Sequence, residues 1–139
     1  MTLFPDNALA AFTVKLATPV DLGSTDKWEV GVCEISYHPH KTGTVSSYNF
    51  VGNTDVMIYC NLISQQFVGD NTARVLRTFI YPTLYGLHTF GEIYYVPVER
   101  QIFQYIRIEF LKLNGKRVEF KDSRTPVKVV LHFRRILQW

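Results

Sequence analysis

The chain has 139 residues, of which 47% are hydrophobic and 19% charged, with a formal net charge of +3. That is the length of one domain with enough apolar matter for a core, which excludes a disordered or low-complexity chain. No apolar run approaches the roughly 20 residues that a membrane-spanning helix needs.

Aromatic residues reach 14%, and eight Tyr and ten Phe supply most of them. Together with the β-branched residues they lean toward strands. The opening, Met1-Thr-Leu-Phe-Pro-Asp-Asn7, has no basic stretch followed by an apolar run. No signal peptide is expected, and the protein is expected to be soluble and intracellular.

Pro5 forbids helix at Phe4, and Asp6-Asn7 favours a turn. Ala11 to Leu16 alternates, with Phe12, Val14 and Leu16 opposite Thr13 and Lys15, and predicts a first strand. Thr18 to Asp26 reads as a loop. Lys27 to Ser36 predicts a second strand with Trp28, Val30 and Val32 on one face and Gly31, Cys33 and Ile35 on the other. Apolar residues on both faces imply cover on both sides, mid-sheet or under a neighbouring subunit, and Gly31 suggests a bulge or a close backbone approach. His38 to Ser47 is a long polar loop.

Further strands are expected over Asp55 to Ile63, Ala73 to Tyr81 and Glu92 to Val96, with a turn at Phe67 to Asn71 and an apolar, aromatic loop from Pro82 to Gly91. Ile102 to Leu113 predicts a long sixth strand, with Ile102, Ile106, Ile108 and Phe110 facing one way and Tyr105, Arg107 and Glu109 the other. Asn114-Gly115 predicts a two-residue hairpin turn into a short strand at Arg117 to Phe120. The most regular stretch comes last. From Pro126 to Arg135, Val127, Val129, Leu131 and Phe133 share one face, while Lys128, His132 and Arg134 share the other, with Val130 as the one apolar exception. A period of two with β-branched residues marks a half-buried strand, here the closing strand of an all-β domain.

Eight strands with few tight hairpins predict a single eight-stranded jelly roll, a Greek-key double-sheet sandwich covering residues 1–139, with its first and last strands adjacent. An immunoglobulin-like sandwich is the rival. Against it, Cys33 and Cys60 lie only 27 residues apart and Trp28 precedes both. The two cysteines are expected to be free thiols, although the sequence leaves a bridge open.

No catalytic constellation, phosphate loop or metal motif emerges, so no enzyme, metal or cofactor is expected. His38 and His40 lack a third ligand nearby. Glu34 is expected at a strand end or paired with an Arg. Residues 1–99 hold 5 Lys/Arg and 9 Asp/Glu, whereas residues 100–139 hold 10 and 3. This basic end is either the wet face of the last strands or a contact for an acidic partner or DNA, with Lys128, Arg134 and Arg135 as its candidates. The loop bearing Tyr85, Leu87 and Phe90 and the tail bearing Leu137 and Trp139 are surplus apolar surface. They either cap the ends of the sandwich or meet a partner.

An ordered series of residues then suggests a family. Phe4-Pro-Asp-Asn7, Leu9, Phe12, Leu16, Asp21-Leu22, Trp28-Glu-Val-Gly31 and Glu34-Ile35 are followed by Tyr59-Cys60, Val68-Gly-Asp70 and Leu131-His-Phe-Arg-Arg135. The series resembles the minor capsid, or penton, protein of Polinton/Maverick elements, the virus-like DNA transposons. The resemblance spans nearly the whole chain, and its motifs are structural. It implies a single jelly roll forming pentamers at the vertices of an icosahedral capsid, beside a double-jelly-roll major capsid protein, with no enzymatic activity. Tyr85, Leu87, Phe90, Leu137 and Trp139 would then contribute to subunit contacts. A carbohydrate- or ligand-binding jelly roll, with Tyr48, Tyr85 and Tyr94 stacking on sugar rings, is the alternative.

Overall fold

The computed structural model describes residues 1–3, 11–23, 26–37, 54–68, 70–81, 87–113, 115–118 and 127–136. Its strands, in order, are β1 (Thr2–Leu3), β2 (Ala11–Asp21), β3 (Trp28–Ser36), β4 (Thr54–Cys60), β5 (Gln66–Val68), β6 (Asn71–Ala73), β7 (Val75–Tyr81), β8 (Leu87–Thr89), β9 (Val96–Pro97), β10 (Ile102–Lys112) and β11 (Lys128–Arg135). One sheet has the order β1-β11-β3-β8, with β9 also on β3; the other has the order β2-β10-β4-β7; β5 and β6 form a two-stranded ribbon.

All the pairings are antiparallel, and they are nested. β4 pairs with β7, β3 with β8 and β9, β2 with β10, and β1 with β11. The chain is thus one long hairpin, its tip the β5–β6 ribbon, rolled up so that β11 also meets β3 and β10 also meets β4. A hairpin rolled into two facing four-stranded orders, with its first and last strands adjacent, is a single jelly roll. The neighbour of β11 is Thr2–Leu3, a strand too short to show alternation. The first predicted strand, at Ala11, lies in the other sheet.

The core lies between the sheets. Val127, Val129 and Leu131 of the closing segment are buried, as its alternation predicts, and Phe133 packs against the core. Phe103 stacks on Phe133 at 5.9 Å, and Phe79 meets Phe110 edge-on at 6.1 Å, so each aromatic pair bridges strands within the filled interior. Each such side chain, fully buried, contributes about 1.5–3 kcal/mol.

Several sequence expectations shift in phase. Val130 pairs with Glu34, but Leu131 pairs with Val32, so Cys33 is an extra residue in β3. This bulge turns Ile35 inward beside Val30 and Val32 and turns Glu34 outward. Glu34 does pair with a base, but the base is Lys128 rather than an Arg. In β10 the register slips between Phe103 and Tyr105, where β2 is out of step by several residues. Phe103 is therefore buried, and Ile102, expected inside, is 67% exposed.

Three connections also differ from expectation. Strand β2 runs on to Asp21 through part of the expected loop, and the expected 82–91 loop contains β8. At the late hairpin, Lys112 N donates to Lys116 O, and Gly115 N donates to Lys112 O. The closing pair therefore encloses three residues rather than two, and Gly115 takes the positive φ of 82° that such a loop requires. Beyond it, Arg117 bridges Leu111, and residues 119–126 lie outside the described residues.

Gly31 is a close approach rather than a bulge. Strand β3 sits between β11 on one edge and β8 and β9 on the other. Residues 91–95, which connect β8 to β9, cross over its outer face. A Cβ at Gly31 would stand 2.7 Å from the Tyr94 carbonyl oxygen and would meet the Ile93 side chain as well. The second cover that the sequence demands for β3 is thus supplied by the chain itself.

Candidate functional site

The flank where β7 and β8 form the open edges of their sheets carries two of the residues singled out by sequence, Leu87 and Phe90. Tyr85 lies outside the described residues, as do Leu137 and Trp139 of the tail. Leu87, on edge strand β8, is half-exposed. Phe90 is partly buried, packed against the core, and stacks on His88 at 5.8 Å. Phe90 thus packs inward, as part of a cap over this open edge, and Leu87 faces outward.

The cap is organised by Arg77, which sequence reasoning passed over. Its partner across β4 is the buried Ile58, so it points toward the interior at the sheet's edge. The guanidinium lies 3.7 Å from the centre of the Phe90 ring and 4.5 Å from that of Tyr94, and Nη1 donates to the Glu92 carbonyl at 2.6 Å. One side chain of β7 thereby fastens the 90–95 segment across the flank. Its only signal in sequence was a cation at an inward position of an apolar strand.

His88 completes the cap. Its ring meets Tyr37 at 6.4 Å and Phe79 at 5.0 Å. Burial, reinforced by the nearby Arg77 charge, pushes its pKa below the ordinary 6.5, against a hydrogen bond to the Ile80 backbone. The imidazole therefore sits neutral in the cap at physiological pH.

On the outer face of the five-stranded sheet, the basic end of the chain meets the acids of its beginning. Lys128 pairs with Glu34 at 2.6 Å, Arg135 with Asp26 at 3.5 Å, and Arg134 with Glu29. Arg134 also lies 3.5 Å over the Tyr95 ring, whose hydroxyl meets His132 Nδ1 at 2.7 Å. Three of the basic residues near the chain's end are thus paired with acids of β3 and its approach. Glu34 is held below the usual carboxylate range, chiefly by its hydrogen bond from Lys128.

Of the tyrosines considered for stacking on a ligand, Tyr48 and Tyr85 lie outside the described residues, and Tyr94 already has Arg77 against its ring. His38 and His40 also lie outside them. Among the described residues no three His, Cys, Asp or Glu side chains group as metal ligands, and no helix is long and apolar enough to cross a membrane. Cys33 and Cys60 are free thiols.

The strand order defines the class: a single jelly roll. No family model matches the chain, and no curated protein does. Among solved structures the chain is similar to the selenomethionine-labelled penton protein of mavirus, at 17% identity and a TM-score of 0.44. The match covers 60% of this chain and 34% of that one, so it spans about a third of the solved protein.

Proposed function

We propose that the protein is a non-enzymatic capsid subunit of the penton type. One jelly roll per subunit joins others head to tail into pentamers, and these close the vertices of an icosahedral particle built from a double-jelly-roll major capsid protein. The nested roll is the observation that carries this reading. It gives a block with a filled interior whose sheet edges lie on two opposite flanks, two different surfaces of the kind a head-to-tail ring uses. The ordered residue series that resembles Polinton/Maverick pentons supports the same reading and narrows it to that group of elements.

Fold alone does not assign function, so the test is assembly. The chain, tagged at one end, is co-expressed with the major capsid protein of the same element, and particles are separated by density. The proposal expects the tag to sediment with the particles and to label their five-fold vertices in electron micrographs. Particles that form without the tagged chain, or carry it away from the vertices, overturn it.

A further inference from the structure

A closed ring of identical subunits needs two different surfaces that fit each other, one on each side of the block. The choice of those surfaces rests on the ring-forming reading above.

The β7/β8 flank and the β2 flank lie at opposite ends of the sheet orders. Among the described residues, five of the eight exposed large hydrophobics lie on or beside one or the other: Ile80, Leu87 and Tyr94 on the first, Ile102 and Tyr105 on the second. Among the described residues, charges that form no ion pair stand on both flanks. On the first flank Asp55, directly across from Ile80, and Glu92, beside Arg77, are exposed and form no ion pair with any described residue. On the second, Lys15 is exposed in the middle of β2, paired to no acid and resting over the Tyr105 ring at 5.9 Å. Asp21, at the end of the same strand, accepts the Gly23 amide at 2.8 Å. Elsewhere on the described surface most charges find partners within the chain.

We infer that the β7/β8 flank of one copy docks on the β2 flank of the next, with Ile80, Leu87 and Tyr94 against Ile102 and Tyr105 and with Asp55 and Glu92 facing Lys15. Docked on its own copy, the first flank would set Asp55 and Glu92 against acids, with Arg77 already held against Phe90 and Tyr94, whereas the second flank offers them Lys15. The contact is therefore head-to-tail, and it propagates around a ring rather than stopping at a dimer. Edge strands β2 and β7 bring open backbone donors and acceptors to the same seam.

The test is a charge exchange, read as subunit dissociation by light scattering over a concentration series, with melting temperature as the check on folding. Three variants of the chain are compared with the wild type: Lys15→Glu, Asp55→Lys with Glu92→Lys, and all three changes together. The inference expects each partial variant to dissociate at concentrations about tenfold higher than the wild type, or more, and the combined variant to recover the wild-type assembly. Partial variants that assemble as well as the wild type, or a combined variant that recovers nothing, overturn the flank assignment and leave the ring-forming reading standing. A wild type that stays monomeric throughout overturns both.

Discussion

Gly31 of β3 and Tyr94 of the crossing segment are packed so closely that no side chain fits between them. A methyl group at Gly31 would lie 2.7 Å from the Tyr94 carbonyl oxygen, and backbone cannot yield as a flexible side chain does. Gly31→Ala is therefore expected to destabilise the fold by about 1–3 kcal/mol, read as a lower melting temperature. Limited proteolysis should then cut first between residues 90 and 96, because the displaced segment is the one Arg77 fastens. Unchanged melting would show that the segment does not press on β3.

Phe110 and Phe67 make a paired test of where the core lies. Phe110 is fully buried between the sheets, whereas Phe67, in the β5–β6 ribbon, is 87% exposed. Phe110→Ala should cost about 3–5 kcal/mol in chemical denaturation. Phe67→Ala should stay within about 0.5 kcal/mol. Equal effects would contradict the packing described.

The cap makes stability depend on pH through His88. Its folded pKa lies below the ordinary 6.5, chiefly because of burial. The unfolded chain then binds the proton more readily than the folded one. The stability tied to this group is complete above 6.5 and declines as pH falls from there toward the depressed folded value. The melting temperature should fall over that window, and His88→Phe should flatten the fall. An equally steep fall in the variant would assign the dependence to other groups.

The thiols offer a probe of the same interior. Burial pushes Cys60 up to about 11 and raises Cys33 as well. At pH 8 a thiol reagent should label native Cys33 slowly and Cys60 more slowly still, and unfolding in denaturant should expose both at once. Rapid labelling of Cys60 in the native protein would place β4 outside the core.

The sequence predicts the jelly roll correctly where one face of a strand is buried without interruption. Val127 to Phe133 alternates without a slip, and its buried set is the one observed. Prediction fails where the backbone changes phase. Nothing in the residues Val32-Cys33-Glu34 announces a bulge, yet that one extra residue exchanges the places of Glu34 and Ile35. The slip before Tyr105 exposes Ile102 in the same manner. Short strands escape as well, because two or three residues such as Thr2–Leu3 or Leu87–Thr89 hold too little alternation to read. The flank follows this pattern: Leu87 was identified from its apolar loop, but Ile80, Ile102, Lys15 and Arg77 gain their meaning only from neighbours brought together by the roll.

Mass in solution tests the central claim most directly. For a chain of 16.1 kDa, light scattering of the purified protein at rising concentration should approach a plateau near five copies, about 80 kDa, as a closed ring requires. A mass that remains that of one chain at every concentration, or that stops at two, would contradict the account.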